Sequence, residues 1–330
     1  MRSPVAADRR RTMLRSAMGS AIAKALADNQ VIEIMVNPDG ALRLDRLGQG
    51  CVDTGERLEA VQVERIIRLV ASTMHAEIHG ERPIISAELP PNDDAALSGE
   101  RFEGLLPPVA SAPCFAIRKP AARIYGLADY VRDGILTQDL ADLLKSSVAR
   151  RLNILIAGGT SSGKTTLANA LLAELADRDE RVILIEDTRE LQCTAADTVA
   201  LRTRPPTVTT ADLVRSTMRL RPDRIIVGEV RGPEALDMLK AWNTGHPGGI
   251  ATVHANSAAS ALFRIEQLIQ EAVINVPRRL IAEAIDLVVF IAGRGLDRRI
   301  ETIAAVTGVQ PDGEYRLADF PNPNAQGDRA

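Results

Sequence analysis

The stretch that most constrains this chain is 152–165, Leu-Asn-Ile-Leu-Ile-Ala-Gly-Gly-Thr-Ser-Ser-Gly-Lys-Thr. Residues 152–157 form a short apolar run that reads as a buried strand, and Leu167, Ala170, Leu171 and Leu175 recur at helical spacing further on. Between strand and helix, Gly158, Gly159, Thr160, Ser161, Ser162 and Gly163 lead into Lys164, Thr165 and Thr166. Small residues in that order let the backbone curl with several N–H groups pointing inward, and the helix N-terminus adds positive potential. The spacing therefore predicts a phosphate-binding loop, with Lys164 reaching the β- and γ-phosphates of ATP and the Thr165 hydroxyl binding Mg²⁺.

Such a loop commits its part of the chain to alternating strands and helices. Strands are predicted at 182–186, 199–203, 224–227, 250–254, 287–292 and 300–306, and helices at 164–176, 211–220, 233–243 and 258–272. That alternation marks an α/β domain with a mostly parallel sheet over 151–318. With 330 residues there is length for a second domain. Residues 29–120 supply it: a hairpin turns at Asn37-Pro38-Asp39-Gly40, an amphipathic helix is predicted at 60–74, and short strands at 84–89, 101–106 and 114–118. This is a smaller α+β domain, joined to the first by a linker with helices at 121–150.

The two ends read differently. Residues 1–28 form a basic helical extension, with six basic residues, and Leu14, Met18 and Ile22 share one side. Such a helix suits an anionic bilayer surface, but docking on its own domain is the commoner fate of this pattern. The tail 319–330, with Pro321, Pro323 and Gly327 and few apolar residues, is expected to be disordered.

Composition excludes some classes. A net charge of −3 disfavours a domain built to grip nucleic acid by its phosphates, so no sequence-specific nucleic-acid binding is expected. Cys51, Cys114 and Cys193 have no paired spacing, which fits a reducing cytosol and supplies no metal site. The most apolar late stretch, 281–292, carries Glu283 and Asp286, and nothing reads as a membrane span.

In open α/β sheets ligands sit beyond the carboxyl ends of the strands, so polar residues there are the candidates. One strand ends in Glu186 and Asp187, another in Glu229, and a third in His254. Phosphoryl transfer to water needs one carboxylate to orient the water and another to hold Mg²⁺, directly or through water. Glu186 and Glu229 are the candidates, and the sequence leaves open which does which. Asp187 serves equally well as a helix cap. His254 is placed to hydrogen-bond the γ-phosphate or a catalytic carboxylate, whereas His246, among three glycines and a proline, reads first as part of a turn.

The run from Leu220 to Asn256, with Gly228-Glu229-Val230-Arg231-Gly232-Pro233-Glu234 and Thr244-Gly245-His246-Pro247-Gly248-Gly249 followed by His254-Ala255-Asn256, resembles the hexameric traffic ATPases of type IV secretion, in their conjugal-transfer branch. The likeness covers roughly 25–310, with the phosphate loop, acidic box, atypical Walker B segment and histidine box in the family's order. It implies a RecA-like fold for the α/β domain, a PAS-like sheet before it, and ATP bound between them. It also implies that Arg118, in Phe115-Ala116-Ile117-Arg118-Lys119-Pro120, and Arg101 meet the phosphates. A homohexamer in the cytoplasm, peripheral to the inner membrane and in contact with inner-membrane components of a transfer apparatus, follows from the resemblance, with ATP hydrolysis powering conjugative DNA transfer or pilus assembly. Two rival functions fit the same loop: a nucleotide-gated assembly switch with little turnover, against which the paired glutamates argue, and a DNA-translocating motor, against which the acidic balance argues.

Overall fold

A computed structural model describes residues 4–74, 76–89, 99–120, 123–204, 206–322 and 324, and the chain divides into two compact units, 1–122 and 123–330. Residues 325–330 of the expected tail lie outside the described residues.

The first unit contains α1 (Pro4–Ala27), β1 (Val31–Val36), β2 (Ala41–Arg46), β3 (Gly50–Arg57), α2 (Ala60–Met74), β4 (Ile84–Glu88), β5 (Arg101–Leu105) and β6 (Cys114–Arg118). Its strands form one sheet in the order β3-β2-β1-β6-β5-β4, every neighbouring pair antiparallel. The helical spacing of Val63, Ile66, Ile67 and Val70 buries one side of α2 against alternate strand residues Ile34, Val36, Phe102, Phe115 and Ile117. Leu14, Met18 and Ile22 of α1 join the same core. The N-terminal helix thus docks on its own unit, the commoner of the two fates for its pattern. Strand β3 is exposed at every position, so it carries no apolar alternation for a sequence reading to find.

The second unit begins with α3 (Leu127–Arg132) and α4 (Gln138–Ala149), followed by β7 (Ile154–Gly158), α5 (Lys164–Ala173), β8 (Arg181–Glu186), β9 (Asp197–Arg202) and α6 (Thr210–Thr217). Then come β10 (Arg224–Val227), α7 (Glu234–Asn243), β11 (Ile250–His254), α8 (Ala258–Gln270), α9 (Arg278–Ala284), β12 (Leu287–Ala292), β13 (Arg299–Val309) and β14 (Tyr315–Pro321). The sheet order is β14-β13-β12-β7-β11-β10-β8-β9. The six strands from β12 to β9 run parallel, and β13 and β14 add an antiparallel edge.

The central strands are buried on both faces because successive side chains point opposite ways into two cores. Leu155, Ala157, Ile183, Ile185, Ile225 and Val227 face one core with Trp242, Leu262 and Ile265. Ile154, Ile156, Val182, Leu184 and Ile226 face the other with Leu167 and Leu171 of α5. Leu127, Leu136, Leu140 and Leu144 lie in that second core, so the helices expected in a linker are structural elements of the unit. The first residues of the expected tail, 319–322, are held in the fold. Residues 319–321 pair with β13, and the buried Asn322 side chain donates to the carbonyls of Ile135 and Ile300 at 2.9 and 2.8 Å. Backbone pairing and one amide anchor what low apolar content suggested was loose.

Candidate functional site

Strand β7 delivers the loop at the carboxyl end of the parallel sheet. Ser161 (φ 62°) and Gly163 (φ 97°) take left-handed backbone, which turns consecutive N–H groups into one concavity at the start of α5. Gly158 is required by crowding, since a Cβ there would stand 2.5 Å from Ser162 Oγ and closer still to the Ile291 carbonyl. Lys164 is buried, and its ammonium donates to the carbonyls of Gly158 and Gly159 at 3.1 and 2.9 Å. Ser162 Oγ is buried without a hydrogen-bond partner. Inward N–H groups, a helix N-terminus and a buried lysine form a cradle that fits a polyphosphate.

The two neighbouring strands on one flank bring charged groups to this cradle. Strand β11 pairs with β7 so that His254 stands opposite Gly158. His254 Nδ1 lies 3.3 Å from Lys164 Nζ, and Nε2 lies 2.8 Å from Glu229 Oε1. An ammonium only donates, so Lys164 assigns the lone pair to Nδ1 and leaves the proton on Nε2, which lies close to the Glu229 carboxylate without the alignment of a hydrogen bond to it. Burial and the Lys164 charge hold the His254 pKa below its ordinary value, the Glu229 carboxylate notwithstanding, so the ring is neutral at neutral pH. Glu229 is also paired with Arg231, which reaches Asp187 at 3.5 Å. Lys164, His254, Glu229, Arg231 and Asp187 thus form one chain of contacts.

Strand β8 and the segment after it contribute two glutamates with different surroundings. Glu186 is 6% exposed, and its Oε1 accepts the backbone N–H groups of Glu190 and Leu191 at 2.9 and 2.7 Å. Burial pushes its pKa up to about 7 against those two hydrogen bonds. Gly228 makes room for it, since a Cβ there would lie 3.0 Å from Glu186 Cγ. The carboxylate that meets the metal-side threonine is that of Glu190, which accepts from Thr165 Oγ1 at 3.2 Å. Asn169 of α5 fixes the segment by donating to the Glu190 carbonyl and accepting from Gln192 N–H. Glu186, one of the two carboxylates expected at the metal or the water, holds the turn that aims Glu190. Glu190 carried no separate signal, because nothing local distinguishes two carboxylates four residues apart.

His246 lies elsewhere. Its Nδ1 donates to the Pro222 carbonyl at 2.9 Å, before β10 and at the opposite ends of the strands, in keeping with a turn residue. Arg101 and Arg118 belong to the first unit, where they are direct cross-strand partners. Glu88 pairs with Arg101 on the other side and Glu33 with Arg118, which makes one row of two arginines flanked by two glutamates. Thr160 and Thr166 complete the loop and the first turn of α5. Among the described residues no helix is long and apolar enough to cross a membrane.

Residues 22–300 match the family model of the type II/IV secretion system proteins. The chain is 49% identical over 297 residues to the conjugal transfer protein TrbB of Rhizobium radiobacter, covering 89% of this chain and 90% of the relative. It is 35% identical over 323 residues to the type IV secretion system protein PtlH of Bordetella pertussis, covering 84% and 91%. Its fold is like that of the pilus retraction motor PilT, solved with bound ADP, at TM-score 0.61 and 18% identity over 91% of this chain and 82% of that one. With that match over most of its length, the chain belongs to the type II/IV secretion system family, alongside conjugal transfer and type IV secretion system proteins.

Proposed function

We propose that the chain is a Mg²⁺-dependent ATP hydrolase that powers conjugative DNA transfer or pilus assembly by a type IV secretion system. The observation that carries the reading is the contact chain from Lys164 through His254 to Glu229, at the mouth of a cradle whose Thr165 hydroxyl meets Glu190. Lys164 binds the β- and γ-phosphates, and the N–H groups of 158–166 hold the remaining charge. Thr165 with Glu190 would hold Mg²⁺, which supplies charge neutralisation on the phosphates; Glu186 acts behind Glu190 as a positioning residue. Glu229 orients the attacking water and takes its proton, and neutral His254, lying between Glu229 and Lys164, senses whether Lys164 is engaged with phosphate.

The rest of the reading draws on the family. In it the second unit is RecA-like and the first PAS-like, and six copies form a cytoplasmic ring against inner-membrane components of the apparatus. Arg118 and Arg101 supply positive charge to the phosphates. This role rests on the resemblance alone, since in the sheet Glu33 and Glu88 already flank the two arginines. Domain closure around ATP is the mechanical output.

The test is steady-state phosphate release over a range of protein concentrations, with mass measured on the same samples, for wild type and Glu229→Gln. Turnover that rises with assembly and is lost in the variant is expected. Binding of ATP without turnover in wild type would replace the motor by a nucleotide-gated switch.

A further inference from the structure

The groups just described all come from one flank of the phosphate loop, from β11, β10 and β8. On the other flank lies β12, whose Ile291 pairs with Gly158. Its chain reverses at once through a tight loop, with Gly293 at φ 77° and a single 3-10 turn at Gly295–Asp297, to enter β13. This loop lies at the carboxyl ends of the parallel strands and ends in Arg298. A Cβ on Gly163 would stand 2.7 Å from Arg298 Nε and 2.8 Å from its Cζ, so the guanidinium lies directly on the glycine that opens α5.

Three neighbouring polar atoms here are unused. Arg298 Nε is buried with no hydrogen-bond partner, and so are the Tyr130 hydroxyl and Ser162 Oγ. Tyr130 is 2% exposed on α3, burial raises its pKa, and the Arg298 charge acts on it in the opposite direction. The proximity has a backbone cause: Ile135 N–H binds the Tyr130 carbonyl, and Ile300 N–H binds the Ile135 carbonyl, so the α3–α4 turn is tied to the start of β13. Buried donors without partners are unfavourable, the more so when charged, which makes an unmet guanidinium N–H beside an anion cradle a group awaiting an acceptor.

We infer that Arg298 is a nucleotide-binding residue at the nucleoside end of the site, donating to the α-phosphate, with the Tyr130 hydroxyl beside it as a second donor. The topology sets the polarity. Lys164, His254 and Glu229 mark the γ-phosphate on the β11 flank, so the chain of phosphates leaves the cradle toward the β12 flank, where Gly163 and Arg298 stand. Glycine at 163 is needed twice, for its positive φ and because any side chain would displace the guanidinium. The inference rests on the proposed ATP site and adds the residues that recognise the part common to ATP and ADP.

The experiment is titration of ADP and of a non-hydrolysable ATP analogue, each with Mg²⁺, into full-length wild type, Arg298→Ala, Arg298→Lys and Tyr130→Phe, with thermal melts of each protein. Arg298→Ala is expected to weaken both nucleotides equally, by about tenfold, as the loss of one charge-assisted hydrogen bond gives. Arg298→Lys restores part of the affinity, and Tyr130→Phe weakens both by about threefold. Unchanged ADP affinity in folded Arg298→Ala overturns the assignment, and so does a loss confined to the ATP analogue, which would put Arg298 at the γ-phosphate. If wild type binds neither nucleotide, the ATP site itself falls and this inference with it, an outcome distinct from a normal wild type beside an unaffected variant.

Discussion

Glu180 and Glu186 bracket one buried strand, β8, and are nearly equally buried, at 9% and 6% exposure. Before the strand, burial opposes ionisation of Glu180, but the guanidiniums of Arg224 and Arg151 outweigh it and hold the carboxyl below the usual range. Beyond the strand Glu186 has only backbone N–H partners, and burial wins, raising it to about 7. The same contrast extends across the sheet. At the amino ends, buried Arg224 also donates to the carbonyls of Val148 and Gly248, and Asn153 bridges Gly248 N–H, Gly249 N–H and the Ala284 carbonyl. At the carboxyl ends, Ser162 Oγ and Arg298 Nε are left over. The polar groups named at the amino ends hold the fold, although Arg178 Nε and the Tyr315 hydroxyl are unpaired there as well, whereas the unpaired atoms at the carboxyl ends stand beside the phosphate loop.

The comparison can be broken at either end. Its largest expected effect is at the carboxyl end: Lys164→Ala lowers phosphate release at saturating ATP by at least about a thousandfold, or about 4 kcal/mol of barrier. Retained turnover would remove the loop from the chemistry. Next, at the amino end, Arg224→Met leaves Glu180 buried without its main partner and costs about 3–5 kcal/mol in urea unfolding. The double variant Arg224→Met/Glu180→Leu recovers most of that loss, because no lone charge remains. A double variant as unstable as the single one would mean that the arginine's carbonyl contacts, and not the ion pair, hold this end.

A smaller effect sharpens the contrast between the two glutamates. The folded pKa of Glu186 lies above the unfolded value, so the native state binds more protons over that interval. Its contribution is full below about pH 4.5 and is lost as pH rises through about 7. Glu186→Gln keeps an acceptor for the two N–H groups and is therefore expected to be more stable than wild type at pH 8, by about 3 kcal/mol, with little difference near pH 4.5. A gap that does not change with pH would place the carboxyl in water. The smallest effect is at His246, whose ring makes one hydrogen bond to a carbonyl away from the loop. His246→Gln should cost about 1 kcal/mol of stability or less and leave turnover unaltered.

Not every element left a trace in the sequence. The helix at 60–74 and the strands at 224–227, 250–254 and 287–292 were legible because their apolar residues follow one period and are buried as that period requires. Strand β3, exposed at every position, and α9, with only Ile281 and Ala284 buried, carry too little of either period. The helices at 127–132 and 138–149 were visible as helices but not as core, since periodicity gives an apolar face without its partner.

At the site, the sequence by itself determined the loop, the lysine and threonine that follow it, and the acidic and histidine residues closing three buried strands. Those are local facts, because a strand, a run of small residues and a helix start occupy consecutive positions and dictate one backbone path. Only the tertiary structure decided that Glu190 and not Glu186 meets Thr165, that His254 lies between Lys164 and Glu229, and that Arg298 lies on Gly163. The reason is that the parallel neighbours of β7 are β11 and β12, whose residues paired with Ile154 are Ile250 and Leu287, far along the chain. What a side chain meets beyond the end of its strand is set by that pairing and by how each turn satisfies its own N–H groups, and residue order encodes neither locally.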